Sequence, residues 1–193
     1  MGQYYIPMIL GSQDPKEFIR LWMDANMYGN GLKLTEHSYM SNRFVCAFEF
    51  QISEDGPFYK SRVVWAGDYA EVEPGSNKNL YTMAIEDEGT DVSKQRTPPT
   101  KDTSMYRFIV NHTKNLFVDK QSQHSFNPLP LLTSEGNGRG GGDYRGRNKN
   151  LCGSWARDVI SLNREALRNT PSWRVISLSK IESCAYYFLI YLS

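Results

Sequence analysis

Two short apolar runs, Met105 to Val110 and Leu116 to Asp119, stand on either side of Asn111-His-Thr-Lys-Asn115. A polar spacer of that length between β-prone runs turns the chain back on itself, so a hairpin with a five-residue loop is expected. A lone hairpin is not stable in water and needs further strands or a helix against its apolar face. Tyr4 to Leu10, Arg62-Val-Val-Trp-Ala66, Leu80 to Ile85, Leu129-Pro-Leu-Leu-Thr133 and Ser154 to Ser161 all read as such strands. Pro130 cannot donate to a ladder, which puts the Leu129 strand at an edge.

The N-terminal third reads differently. Asp14-Pro15-Lys16-Glu17 combines an N-cap, a first-turn proline and an N3 glutamate. Phe18, Leu21, Trp22 and Ala25 follow at helical spacing, so a helix is expected over 15–27, stopped by Gly29 and Gly31. Ser41 can cap a second helix over 42–53, where Phe44, Val45, Phe48 and Ile52 share a face, although Phe48 to Ile52 also alternates like a strand. The expected fold is α+β: one domain over 1–193, a mostly antiparallel sheet with one or two N-terminal helices packed on it. Residues 86–103, acidic and then rich in Pro and Thr, read as a mobile connection. The apolar C-terminal run Ala185 to Leu192 is too short to span a bilayer and reads as a buried edge strand or packed end segment.

Charge narrows the partners. Lys and Arg number 22 against 21 Asp and Glu, a formal net charge of +1, so any attraction to nucleic acid must come from a local patch. Cys46, Cys152 and Cys184 are an odd set without a C-x-x-C pair, which argues against a disulfide framework or zinc ribbon and for reduced, buried thiols. No positive segment precedes the first apolar run, and position six is Ile6, so neither a signal peptide nor myristoylation is expected. A cytoplasmic setting follows as the expectation, with no membrane attachment and no cofactor.

The most unusual segment is Glu135-Gly-Asn-Gly-Arg-Gly-Gly-Gly-Asp-Tyr-Arg-Gly-Arg147, within a Gly/Arg-rich loop over 134–150. Glycines lose the most conformational freedom on folding, so such a run is costly unless backbone turns sharply or meets a partner closely. Its amides suit an anion. Arg139, Arg145, Arg147 and Lys149 supply positive charge, and Tyr144 offers a face for base stacking, so these five residues are the candidate binding set. The loop is not a phosphate-binding P-loop, because no Gly-Lys-Ser/Thr closes it. A plain connector between two strands, or a protein contact, fits the same composition.

His37, His112 and His124 lack the i, i+4 spacing of a local metal site, and no metal is expected. As general bases, His37 and His112 are the better candidates, oriented by Asp68 or by Glu36, Asp143 or Asp158. Trp65-Ala-Gly-Asp68 and Trp155-Ala-Arg-Asp158 each place an acid three residues after a tryptophan. The simpler account is a core Trp with an acid bonded locally. Cys152, next to the basic loop, is a minor nucleophile candidate.

Several segments resemble a loosely defined group of uncharacterised small proteins from bacteria and their phages. They are Met1-Gly-Gln-Tyr-Tyr5, Tyr28-Gly-Asn-Gly-Leu-Lys-Leu34, Glu36-His-Ser-Tyr39, Val63-Val-Trp-Ala-Gly-Asp-Tyr-Ala70, Ile109-Val-Asn-His-Thr-Lys114, Pro128 to Gly146 and Gly153-Ser-Trp-Ala-Arg-Asp-Val-Ile-Ser161. Residues 163–193 look unlike the group and form a divergent tail. The resemblance implies a prokaryotic or phage setting and carries no activity with it. Combined with the loop chemistry, it leads to a non-enzymatic binding protein that interferes with a nucleic-acid-dependent host system. An inhibitor of an RNA-guided, CRISPR-type nuclease is one concrete form, with a host protein or ribonucleoprotein as partner and RNA met through the basic loop. The competing expectation is a small enzyme acting on a nucleotide or phosphorylated ligand, with a histidine base and the loop holding phosphate. The oligomeric state is open at this level.

Overall fold

A computed structural model of the chain describes residues 2–13, 16–86, 88–93, 103–122, 126–137, 144, 149–166 and 173–176. One mixed sheet organises these residues. β1 (Tyr5–Gln13) and β2 (Lys16–Trp22) form an antiparallel pair, and the other edge of β1 pairs antiparallel with β3 (Ser61–Gly67). β4 (Thr90–Asp91) adds parallel to β2. β5 (Phe108–Asn111) and β6 (Leu116–Asp119) are the expected hairpin, with Asn111 opposite Leu116, so the loop is residues 112–115 and one shorter than the sequence suggests. β7 (Ser134–Glu135) lies parallel to the end of β3, β8 (Val159–Asn163) bridges β3 and β5 antiparallel, and β9 (Arg174–Val175) adds parallel to β6. Among the described residues the order is β4-β2-β1-β3-β8-β5-β6-β9, with β7 beside β3.

The helices are short. α1 (Leu34–His37) and α2 (Arg43–Gln51) precede β3, α3 (Leu80–Ile85) follows it, and α4 (Pro128–Leu132) leads into β7. The broad α+β expectation holds. Phe44, Val45 and Phe48 of α2 and Leu129, Leu131 and Leu132 of α4 pack with Tyr5, Ile9, Val63, Trp65, Ile109, Ile160 and Leu162 in the main core. The opposite face of the sheet carries Ile6, Met8, Leu10, Val64 and Ala66, covered by Leu80 and Ala84 of α3. β3 is therefore apolar on both faces, which explains its unbroken Val-Val-Trp-Ala run.

Four expectations need correction. The helix over 15–27 is instead β2 followed by a 3-10 turn at Ala25–Tyr28; Asp14 and Pro15 lie outside the described residues. A bulge is the reason: Ile9 faces Leu21 and Leu10 faces Ile19, leaving Arg20 extra. Ile19 and Leu21 thus bury on opposite faces, and a strand with two apolar faces imitates helical spacing. Leu80 to Ile85 is α3 and not a strand, because Asn79 Oδ1 accepts from Thr82 N at 2.9 Å and Leu80 and Ala84 share the sheet-facing side. The run expected as a strand at Leu129 to Thr133 is likewise helical up to Leu132, with Thr133 as the C-cap. Asn127 Oδ1 accepts from Leu129 N at 3.0 Å and Pro128 occupies the first turn, where a missing N–H costs nothing. The last strand begins at Val159, not Ser154, because Arg157 adopts φ 63° and breaks any extended run before it.

The second helix starts one residue later than expected, capped by Asn42 rather than Ser41. Of the 86–103 connection, residues 88–93 include β4, and residues 94–102 lie outside the described residues, as does 185–192.

Candidate functional site

The edge of β3 is shared. Its first residues pair with β8 and its last with β7, so the sheet forks beside it. Arg157 stands in that fork, its amide donating to Val63 O at 2.8 Å. Its guanidinium meets two carboxylates at once: Nε and Nη2 donate to Glu135 at 2.7 and 2.5 Å, and Nη1 and Nη2 to Glu73 at 3.0 and 2.5 Å. Burial opposes the charge, but the hydrogen bonds that Arg157 donates to Glu135 and Glu73, together with their negative charge, outweigh it and push the Arg157 pKa upward. A planar five-donor fork suits such double pairing, which lysine cannot reproduce.

An open cleft of about 290 Å³ lies here, lined by Glu71, Val72, Glu73, Pro74, Glu135, Gly136 and Arg157. Three carboxylates and one guanidinium line the cleft, so the cleft's formal charge is negative and it is ill suited to phosphate. Behind it, the carboxamide of Gln3 packs against the Cα positions of Gly67 and Gly136, where any side chain would clash. Gln3 Oε1 accepts from Tyr5 Oη at 2.8 Å. The base of the Gly/Arg loop is therefore held by β7 pairing, by the Arg157 clamp and by this close packing.

Of the candidate binding set, Arg139, Arg145 and Arg147 lie outside the described residues, as does the side chain of Lys149, whose backbone opens a 3-10 turn at Lys149–Leu151. Tyr144 does not offer its ring for stacking. It is 4% exposed and packs on Phe126 with ring centroids 6.0 Å apart, so it anchors the middle of the loop to the core.

The histidines are placed by packing. His37 is fully buried; its Nδ1 donates to Gly31 O at 3.0 Å, and its Nε2 accepts from Trp65 Nε1 at 3.0 Å. Both ring nitrogens are engaged, and burial pushes the pKa down to about 4 against the smaller raising effects of Gly31 and Glu36. No lone pair is left for a base. His112 makes a 2.8 Å hydrogen bond between Nε2 and Ser161 Oγ, and Ser161 donates its own proton to Asn163 Oδ1 at 2.6 Å. Nε2 must then be the donor, the reverse of what activating Ser161 as a nucleophile would need. Burial, with help from Lys60, pushes the His112 pKa down to about 4.

The carboxylates proposed to orient these histidines work elsewhere. Asp68 Oδ1 accepts from Tyr4 N at 3.0 Å, and burial raises its pKa against the backbone hydrogen bonds it receives. Glu36 accepts from Lys33 N at 2.9 Å and closes the start of α1. Asp158 accepts from Asn111 Nδ2 at 2.7 Å and pairs with Lys114. Asp143 and His124 lie outside the described residues. Cys152 is buried, 2% exposed, and is not presented as a nucleophile. Among the described residues, no group of three His, Cys, Asp or Glu could hold a metal ion, and no helix is long and apolar enough to cross a membrane.

Sequence reasoning missed the Arg157 clamp. Trp155-Ala-Arg-Asp158 drew notice for its acid, while Glu73 and Glu135 lie 84 and 22 residues from Arg157 and share no spacing with it. No protein-family model, curated protein or solved structure matches the chain.

Proposed function

We propose that the chain is a binding protein whose contact element is the Gly/Arg loop over 134–150. The observation that carries this is the way the loop is mounted. Glu135 is clamped on Arg157, Gly136 packs on Gln3, and Tyr144 is buried on Phe126. Anchoring a costly glycine-rich segment at its base and middle lowers the entropy lost when it meets a partner. Arg139, Arg145 and Arg147 supply its positive charge. Binding is favoured over catalysis because His37 has no uncommitted nitrogen and the His112–Ser161 hydrogen bond runs the wrong way for nucleophile activation.

The partner we propose is a host protein or ribonucleoprotein in a prokaryotic cytoplasm, following the resemblance of the sequence segments to bacterial and phage proteins. Interference with an RNA-guided nuclease is the form that joins that setting to a basic loop. Capture from host lysate, with and without nuclease treatment, tests this. The wild-type chain is expected to retain a ribonucleoprotein, and a variant with Arg139, Arg145 and Arg147 all changed to Glu to lose it. Unaltered capture by that variant would show that the loop is not the contact.

A further inference from the structure

The face of the sheet opposite α2 and α4 carries a second, separate feature. Beyond Phe108, Val110 and Phe117, whose cluster is covered by Ala166 and Trp173, three rings stand in a row. His112 lies between Tyr59 and Trp173, edge to face with each, at centroid distances of 6.4 and 5.6 Å. Tyr59, His112 and Trp173 are all half-buried.

The row is held from beneath. His112 donates to Ser161, Ser161 to Asn163, and Asn163 Nδ2 to Tyr59 Oη at 3.0 Å. That chain fixes the His112 tautomer and leaves its Nδ1 lone pair without a donor among the described residues. Lys60 is exposed and lies over the Tyr59 ring, its Nζ 5.2 Å from the ring centre, with no carboxylate partner among the described residues. Arg62 is on the same face by strand alternation and donates Nε to Arg157 O at 2.9 Å.

Rigid rings beside the exposed Lys60 ammonium, with an acceptor between them, match one kind of ligand better than others. A nucleobase stacks on an aromatic ring, its amino group or a sugar hydroxyl can donate to a neutral imidazole, and its phosphate meets a lysine. We propose that Tyr59, His112 and Trp173, with Lys60, form a platform for single-stranded nucleic acid, distinct from the Gly/Arg loop and not resting on it. Duplexes are excluded by the same chemistry, because their base faces are already stacked.

The test is fluorescence anisotropy of a labelled short oligouridine with the full chain, at several salt concentrations. The wild type is expected to bind the single strand and to release it as salt rises. Trp173→Ala should weaken binding about tenfold, the usual order for losing one stacking partner. Lys60→Gln, which alters only an exposed side chain, should keep the melting temperature and reduce the salt slope by roughly 0.7, one phosphate contact on a single strand. The variant with Glu at 139, 145 and 147 should still bind the oligonucleotide, even where it no longer captures a host partner. Absence of binding by the wild type, or wild-type affinity and salt slope in both platform variants, overturns the proposal. Loss of oligonucleotide binding in the loop variant alone would also overturn it, and would assign the nucleic acid to the loop.

Discussion

Two histidines show how little a residue type says about its work. In the folded chain His37 has a pKa of about 4, against about 6.5 when unfolded. Below about 6.5 the unfolded chain takes up a proton that folded His37 refuses. The stability owed to the neutral ring is fully present above that pH and is lost as pH falls towards 4, by about 3 kcal/mol. His112, depressed in the same sense by burial and Lys60, acts in the same window. Urea unfolding at a series of pH values from 7 to 4 should therefore show a fall in stability carrying close to two protons. His37→Phe should remove about one of them, and at neutral pH should cost about 1–3 kcal/mol by leaving Trp65 Nε1 without an acceptor. An unchanged proton count would remove His37 from the account. Sequence singled out His37 for its chemistry, but nothing local could reveal that Trp65, twenty-eight residues on, takes its lone pair.

Elements are tied together by one buried ionic network. Glu49 of α2, fully buried, accepts from Lys120 Nζ at 2.9 and 3.0 Å, from Asn127 Nδ2 at 2.8 Å and from Thr103 Oγ1. It thereby joins α2 to the 3-10 turns at Thr103–Met105 and Lys120–Ser122 and to the cap of α4. Lys120→Met should cost about 3–5 kcal/mol in denaturant unfolding, because it strands a buried carboxylate. Pairing it with Glu49→Gln should recover a substantial part of that loss, since no uncompensated charge then remains. If the double variant is no more stable than the single one, charge compensation is not what holds this junction. The element boundaries show a mixed legibility. β6, β3 and α2 follow directly from their runs of residues. The residues of β2, α3 and α4 point to the wrong element type, since a bulge at Arg20 hides one period and the caps at Asn79 and Asn127 outweigh β-like composition.

At the scale of the whole molecule the decisive feature is the fork in the sheet. Arg157→Lys should lower stability by about 2 kcal/mol, since one ammonium cannot bridge Glu73 and Glu135 as the guanidinium does. It should also weaken partner capture while leaving the loop arginines intact. Thermal unfolding and the capture experiment read these two effects separately. Wild-type capture despite the stability loss would detach the clamp from the function proposed for the loop.

Local sequence specifies a hairpin between Met105 and Asp119, a strand at Arg62 to Ala66, and a glycine-rich basic segment after Glu135. These depend on neighbours in the chain, on periodicity and turn chemistry, which sequence carries directly. Three-dimensional packing makes Tyr144 an anchor, clamps the loop base on Arg157, and brings Tyr59 and Trp173 against His112. Each of those depends on residues brought together from 18 to 84 positions apart, and no local pattern encodes which distant side chain will complete a contact.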